Sequence, residues 1–162
     1  MLETTAKNHV IILAGGKGTR MQSQSPKVLM RLKSMPLLSR LLASIVGICR
    51  EPTIIVGYEG EQVIEALGQQ YHYVWQKEQL GTGHAAQKAL PYLKGPFLLL
   101  YGDDIYYKSD IEKVMQYCPS LLLGRTNNPS QFGVVQIKGK WVKGIIEKPK
   151  NPKSSFVNAG IY

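Results

Sequence analysis

The residues best suited to chemistry lie in a glycine-rich, basic loop near the start of the chain. An apolar run from Val10 to Ala14 leads directly into Gly15-Gly16-Lys17-Gly18-Thr19-Arg20. Because glycine carries no side chain, the backbone N–H groups of such a loop can close on phosphate oxygens, and Lys17 and Arg20 bring positive charge to the same place. The loop is therefore predicted to bind phosphate.

The spacing of this loop differs from two common nucleotide-binding motifs. The dinucleotide fingerprint G-x-G-x-x-G would open its helix with a third glycine, where this chain has Thr19 and Arg20. The loop also lacks the G-K-[ST] ending of nucleoside triphosphatases. Taken alone, the loop fits a plain glycine-rich turn after a first strand equally well, because short glycine motifs are weak evidence.

The elements that follow the loop predict where it lies in the fold. Further strands are indicated at Pro52–Gly57, Tyr71–Gln76 and Phe97–Tyr101, with helical patterns between them. This alternation predicts an α/β fold with a Rossmann-like, doubly wound, mostly parallel sheet and helices on both faces. Ligands of such sheets bind beyond the carboxyl ends of the strands, so the glycine loop, residues 76–83 and Asp103 should meet at one edge.

Caps and periodicity give the remaining elements. Helices are predicted at Pro36–Cys49 with Ser34 as N-cap, at Glu61–Leu67, from Thr82 as N-cap to Leu90, and from a capping box at Ser109 to about Cys118. Towards the C-terminus the prediction is a short strand at Leu121–Leu123, a β-hairpin of Val134–Ile137 and Trp141–Ile146, and a last strand at Val157–Tyr162.

The composition limits the class of protein. With 162 residues, 44% of them hydrophobic, the chain has the usual size of one domain, taken here as residues 1–162. Lys and Arg number 20 against 11 Asp and Glu, and the net charge of +9 favours polyanionic ligands. Cys49 and Cys118 lack metal-ligand spacing and are expected to be buried, reduced thiols of a cytoplasmic protein. The N-terminus does not resemble a signal peptide, and no membrane association is expected.

Seven motifs, in order along the chain, resemble the signature of the sugar-1-phosphate nucleotidyltransferases. They are L-A-G-G-K-G-T-R-M from Leu13, S-P-K-V-L from Ser25, Q-K-E-Q-L-G-T-G-H-A from Gln76, Y-G-D from Tyr101, F-G-V-V from Phe132, E-K-P from Glu147 and N-A-G from Asn158. The third and fourth look most like the N-acetylglucosamine-1-phosphate uridylyltransferase branch. By contrast, Gly15 and Lys148 lean towards the hexose-1-phosphate enzymes, the glucose-1-phosphate uridylyl- and thymidylyltransferases.

The resemblance covers almost the whole chain and implies an enzyme. Such an enzyme couples a nucleoside triphosphate, here UTP in preference to dTTP, to a sugar-1-phosphate and releases pyrophosphate, with Mg²⁺ as cofactor. Two polyanions must be held together while charge builds on the transferring phosphoryl group, so cations and positioning should dominate catalysis. Family catalytic domains generally run tens of residues further, so the resemblance predicts that the C-terminal part of the domain is missing.

The family match also implies roles for individual residues. The catalytic residues would be Arg20, Lys27 and Asp103, with Asp103 as the magnesium ligand and Asp104 as the competing candidate. The nucleotide would be held by Leu13, Ala14, Gly15, Gly16, Gly18, Thr19, Gln76, Gln79, Gly81 and Thr82, and the sugar by Tyr101, Gly102, Gly133, Glu147, Lys148 and Asn158. His84 is interpreted as an ordinary helix-start residue, because no partner for proton transfer can be named.

Two other classes of function stay open beside the enzyme. A non-catalytic sensor of a nucleotide or nucleotide-sugar would keep the binding residues without turnover. An RNA-binding domain would use the positive charge and the aromatic side chains of Tyr71, Tyr73 and Trp75. These aromatics are better explained as core packing, so nucleic acid is not an expected partner. The resemblance leaves a homo-oligomer open, because the missing part often supplies an interface.

Overall fold

The computed structural model describes residues 9–16 and 25–162. The strands are β1 (His9–Leu13), β2 (Arg31–Leu32), β3 (Met35–Pro36), β4 (Thr53–Val56), β5 (His72–Trp75), β6 (Phe97–Tyr101), β7 (Leu123–Arg125), β8 (Gly133–Lys138), β9 (Trp141–Glu147) and β10 (Phe156–Asn158). The α-helices are α1 (Leu37–Ser44), α2 (Gly60–Leu67), α3 (Thr82–Ala89) and α4 (Lys108–Met115). The chain divides into two compact units, Met1–Glu112 and Lys113–Tyr162. The single domain expected for residues 1–162 stays a prediction.

The first unit is built on a parallel sheet in the order β5-β4-β1-β6. The two central strands are almost inaccessible: residues 10–12 of β1 and 54–56 of β4 are at most 2% exposed. Continuous apolar runs of this kind suit parallel strands that are covered on both faces. The predicted α/β fold with a mostly parallel sheet is confirmed.

Different elements cover the two faces of this sheet. On one face, Ile11 and Ile55 pack in a single cluster with Ala85 and Ala89 of α3. Opposite it, Val56 lies against Gly60 at the start of α2: a Cβ built on Gly60 would be 3.1 Å from the Val56 Cβ. A 3-10 helix, Lys27–Leu29, follows the glycine loop and buries Val28.

The helix ends differ from the predictions where a local alternative competes. Ser34 is not the N-cap of α1, because residues 31–36 form the β2–β3 hairpin and the cap is Pro36. The helix ends at Ser44 rather than Cys49, and the turns that follow include Gly47 at φ +86°.

The residues predicted to cap α3 and α4 both lie inside the observed helices. Gly81 is the N-cap of α3, so Thr82 is already its first residue. Similarly, α4 begins at Lys108, which places Ser109 inside the first turn. At both helices the first turn already includes the residue whose side chain was predicted to cap it.

The aromatic residues near β5 are not the core of the molecule as predicted. Tyr71 and Tyr73 are half-buried, and Trp75 is 38% exposed. In this edge strand the buried positions are Val74 and Gln76. The two-residue alternation correctly predicted a strand. Alternation alone does not say which face of an edge strand is buried, and the wrong face was assigned to the interior.

The second unit contains an antiparallel sheet in the order β7-β10-β8-β9. The predicted hairpin is confirmed as β8 and β9, with an irregularity between Gln136 and Ile137. The strand predicted at residues 121–123 lies instead at 123–125, where it pairs with β10. No residue of β9 is buried, and Trp141 is 59% exposed.

The two cysteines differ in exposure, and only part of their prediction holds. Both are free thiols, but Cys118 is exposed where a buried side chain was expected. Burial raises the pKa of the Cys49 thiol above its ordinary value. Within the described ranges, each α-helix has eight residues, and none could span a membrane.

Candidate functional site

A cavity of about 280 Å³ opens where the parallel strands of the first unit end. It is lined by Leu13, Gly15, Gly16, Lys27, Val28, Ile55, Gln76, Gln79, Gly81, Thr82, Ala85, Tyr101 and Asp103. These residues come from the ends of β1, β4 and β6, from the 3-10 helix Lys27–Leu29, from the segment after β5 and from the start of α3. The topology of a doubly wound sheet therefore brings together most residues predicted to bind the nucleotide.

The wall of the cavity at the glycine loop is made of tightly packed backbone. Tyr58 N donates to the carbonyl oxygen of Gly15 over 3.2 Å. A Cβ on Gly15 would lie 3.1 Å from the backbone nitrogen of Gly57, and a Cβ on Gly57 would lie 2.9 Å from Gly15 O. A side chain at Gly57 would also meet the Gln79 amide at 2.5 Å. Glycine is therefore required at residue 57 by close approach.

A lysine and an aspartate face each other inside the cavity. Lys27 Nζ donates to Asp103 Oδ2 over 2.5 Å, and the two side chains are 38% and 31% exposed. Lys27 belongs to the 3-10 helix after the glycine loop, whereas Asp103 follows β6. Residues 76 positions apart thus place one cation and one hard carboxylate at the same point.

The neighbouring carboxyl group of Asp104 has different surroundings. It is not among the residues that line the cavity, and the Tyr106 hydroxyl donates to Asp104 Oδ2 over 3.3 Å. Burial, and then the nearby Asp103 charge, raise the pKa of Asp104 above its ordinary value. Of the two adjacent carboxylates, Asp103 is thus the one that a ligand in the cavity can reach.

Gln76 is the most buried polar side chain of the cavity wall, at 5% exposure. Its backbone nitrogen donates to Val56 O over 2.7 Å, which extends the pairing of β4 and β5 by one residue. Its side-chain Nε2 donates to Gly81 O over 3.1 Å and lies 3.1 Å from His84 Nδ1. The amide is therefore held from two directions.

The loop between β5 and α3 adds the other residues predicted to contact base and ribose. Gln79, Gly81 and Thr82 all line the cavity. Gly81 has φ +93°, a backbone conformation that glycine adopts without strain, and it is the N-cap of α3. Ala85 N donates to Gly81 O over 3.1 Å as the first turn of the helix.

Two predicted site residues support the cavity from behind. Ala14 is 1% exposed and donates its N–H to Ile55 O over 2.8 Å. Gly102 donates to Leu13 O over 2.9 Å, and a Cβ there would lie 2.9 Å from the same oxygen. Both lie outside the lining, whereas Tyr101, predicted beside Gly102, lines the cavity.

Three residues predicted to bind the sugar lie together in the second unit. Gly133 pairs with Glu147 across β8 and β9, and a Cβ on Gly133 would lie 3.2 Å from Glu147 Oε2 and 3.7 Å from Asn158 Cβ. The Asn158 side chain donates to the Tyr162 hydroxyl and accepts from Gly160 N. Lys148, at φ +44°, has its Nζ 3.4 Å from Glu147 Oε1.

Some predicted residues lie outside the described residues, and some of the lining was not predicted. Gly18, Thr19 and Arg20 belong to the first group. The unpredicted lining residues are Val28, Ile55 and Ala85. Gly57 was also missed, although it is the last residue of a predicted strand at the same sheet edge, a position that could have singled it out.

The chain was compared with known protein families and proteins. The family model for nucleotidyl transferases matches residues 9–162. Among curated relatives, a bifunctional protein GlmU of Methanococcus maripaludis strain C5 is 34% identical over 160 residues, which cover 94% of this chain and 39% of that protein. The bifunctional protein GlmU of Synechococcus elongatus is 39% identical over 171 residues, covering 94% and 38%. The chain thus spans about two fifths of the length of these relatives.

A solved structure has a similar fold. It belongs to a Bacillus anthracis protein assigned as a glucose-1-phosphate thymidylyltransferase, which was crystallised with a sucrose. The TM-score is 0.81 at 26% identity, and the match covers 94% of this chain and 69% of that one. The chain therefore belongs to the nucleotidyl transferase family, which confirms the resemblance of its motifs to the sugar-1-phosphate nucleotidyltransferases.

Proposed function

We propose that the cavity binds UTP or dTTP together with Mg²⁺ and that the protein transfers the nucleotidyl group to a sugar-1-phosphate. The observation that carries the proposal is the Lys27–Asp103 pair, which stands in the same cavity as the Gly15–Gly16 backbone and the Gln76 amide. A site for this reaction needs a phosphate-binding end, a metal-binding carboxylate and a base-binding end. The described cavity offers a candidate for each.

At the phosphate end, charge and backbone would act together. Lys27 is a compact ammonium on a flexible stem, so it can follow the α-phosphate from ground state to transition state. The glycine backbone can approach phosphate oxygens closely, and the predicted role of Arg20 is to add a planar fork of donors. Neutralising charge at this point is the main contribution expected from the protein, since phosphoryl transfer requires no protein nucleophile.

Asp103 would hold the metal. Mg²⁺ usually takes one or two carboxylates and completes its octahedron with water and substrate phosphates. Residues 9–16 and 25–162 contain no cluster of three or more His, Cys, Asp or Glu side chains, so the described donors fit such a site rather than an all-protein cage. When bound, the ion would supply positive charge that stabilises the negative charge of the phosphates held beside Asp103.

At the base end, the buried Gln76 amide would read the pyrimidine edge. Gln79, Gly81 and Thr82 would surround base and ribose. The 76–85 motif favours uracil, whereas the Bacillus anthracis structure favours a thymidine nucleotide with glucose-1-phosphate. Lys148 adds a second argument for a hexose-1-phosphate.

The reaction itself is a displacement at phosphorus. A phosphate oxygen of the sugar-1-phosphate attacks the α-phosphorus, a new O–P bond forms, and the bond to the bridging oxygen of the β-phosphate breaks. Pyrophosphate leaves and takes the electron pair of that bond. Bound geometry supplies much of the rate, because holding both reactants in line replaces a bimolecular encounter.

The test is pyrophosphate release by the purified chain with Mg²⁺. UTP, dTTP, CTP, ATP and GTP are each supplied with glucose-1-phosphate and with N-acetylglucosamine-1-phosphate, and nucleotide binding is measured in parallel by calorimetry. Turnover with UTP or dTTP and one sugar phosphate supports the proposal and names both substrates.

A negative assay separates the remaining explanations. Binding of UTP or dTTP without pyrophosphate release favours a nucleotide sensor, or a catalytic site that other parts of a longer protein complete. If neither UTP nor dTTP binds, the proposal fails.

A further inference from the structure

The Gln76 amide has a single orientation that satisfies its neighbours. The carbonyl oxygen of Gly81 can only accept a hydrogen bond, so the Gln76 atom 3.1 Å from it must be the NH₂ group. The same nitrogen lies 3.1 Å from His84 Nδ1, and its second hydrogen points to an acceptor only if that ring nitrogen carries no proton. The contacts thus require a neutral His84 with its proton on Nε2.

These two hydrogen bonds determine which polar atom of the buried Gln76 amide is left to bind a ligand. With both Nε2 hydrogens committed to Gly81 and His84, Oε1 is the polar atom of Gln76 that remains for the cavity. Uracil and thymine carry an N–H donor at N3, whereas cytosine has an acceptor there. An amide fixed with its oxygen towards the cavity can therefore accept a hydrogen bond from N3 of uracil or thymine, whereas it would repel the N3 acceptor of cytosine.

We propose that His84 is a positioning residue that sets the base preference of the site by locking the Gln76 amide. This inference rests on the proposed function, binding of UTP or dTTP in this cavity. His84 would contact no substrate atom. It lies in the first turn of α3, three residues after the Gly81 cap, so the start of one helix supplies both acceptors that hold the amide.

The experiment that tests this role measures the ratio of the affinities for UTP and CTP rather than a single affinity. Calorimetry with UTP and CTP is carried out on the unaltered chain, on His84→Leu and on His84→Asn. Leucine removes the acceptor, whereas the Asn Oδ1 can occupy the place of Nδ1 and accept the same bond. Circular dichroism and thermal unfolding confirm that each variant is folded.

The unaltered chain should prefer UTP to CTP by about tenfold or more, the discrimination that one well-placed polar contact to a base provides. In His84→Leu that preference should fall about fivefold, because the amide then keeps only Gly81 O of the two acceptors that fix its orientation and can turn its NH₂ group towards cytosine at a lower cost. His84→Asn should restore it. A preference that stays the same in His84→Leu overturns the role of His84, whether or not both affinities drop.

A second readout does not depend on nucleotide binding. Long-range ¹H–¹⁵N spectra of the ligand-free chain should show His84 as the Nε2–H tautomer, and the Gln76 side-chain amide should exchange more slowly than in His84→Leu. An Nδ1–H tautomer overturns the inference directly. If the unaltered chain has the expected tautomer but binds neither UTP nor dTTP, the proposed function fails and the assignment of base preference to His84 fails with it.

Discussion

The two units of the chain bury their apolar residues very differently. In the first unit, the central strands β1 and β4 are nearly inaccessible along most of their length. In the second unit, no residue of β9 is buried, although it carries Trp141, Val142, Ile145 and Ile146. Both units are rich in apolar strand residues, so composition does not cause the difference. Parallel strands are covered on two faces, whereas β9 is the edge strand of an antiparallel sheet and both of its faces are accessible among the described residues.

The difference in burial between the units is accompanied by a difference in where the candidate binding residues lie. The described lining residues of the cavity all belong to the first unit, where loops follow the ends of a buried sheet. The residues predicted for the sugar are divided: Tyr101 and Gly102 lie in the first unit, and Gly133, Glu147, Lys148 and Asn158 in the second. Nucleotide binding should therefore depend on the first unit alone.

The largest effect is expected from the lysine of the cavity. Lys27→Ala should lower turnover by about 100- to 1000-fold, because it removes the ammonium that in the proposed function would face the transferring phosphoryl group. Lys148→Ala, in the second unit, should raise KM for the sugar-1-phosphate and leave UTP affinity unchanged. Steady-state kinetics and calorimetry measure both, with Lys88→Ala as an exposed control. Equal loss of UTP affinity in the Lys27 and Lys148 variants would contradict the expectation that nucleotide binding depends on the first unit alone.

The packing contrast predicts different losses of stability. Ile54→Ala removes a fully buried side chain from β4 and should reduce the free energy of unfolding by about 3 kcal/mol. Ile146→Ala removes a side chain that is 46% exposed in β9 and should cost less than about 1 kcal/mol. Denaturant unfolding gives both values. Similar losses would mean that β9 is covered in solution.

Two glycine substitutions test how closely the backbone is packed at different places in the first unit. Gly57→Ala forces a methyl group to within 2.9 Å of Gly15 O and should destabilise the protein by about 2 kcal/mol and weaken UTP binding. Gly83→Ala adds a methyl group to α3 with nothing within 4 Å, so it should stabilise by about 0.5–1 kcal/mol. Thermal unfolding and calorimetry test the pair. Tolerance of alanine at residue 57 would contradict the close approach of the two backbones.

The smallest effect concerns the two thiols. Burial raises the pKa of Cys49, so its thiolate fraction at pH 8 is lower than that of an ordinary thiol and rises only at higher pH. Labelling of Cys118→Ser, which keeps Cys49, should be several-fold slower than labelling of Cys49→Ser, and should keep accelerating above pH 9. Equal rates at pH 8 would show that Cys49 is as accessible as the exposed Cys118.

The sequence was most informative where a pattern and a topological rule agreed. The apolar runs predicted the parallel strands, and the carboxyl-end rule predicted that the glycine loop, residues 76–83 and Asp103 meet at one edge. It was least informative where the outcome depends on which neighbour covers a strand: Trp75 belongs to an edge strand, which periodicity alone does not distinguish from a central one. Contacts such as Gln76 to His84 depend on the exact start of α3, and propensity placed that start one residue late.

The Lys27–Asp103 pair also has a kinetic consequence. Its two charges cancel, so the pair itself exerts little attraction on a distant triphosphate. The force that draws such an anion from solution must come from the net charge of +9 carried by the whole chain. Capture should therefore slow as ionic strength rises, while release, which is governed by short contacts inside the cavity, should change little.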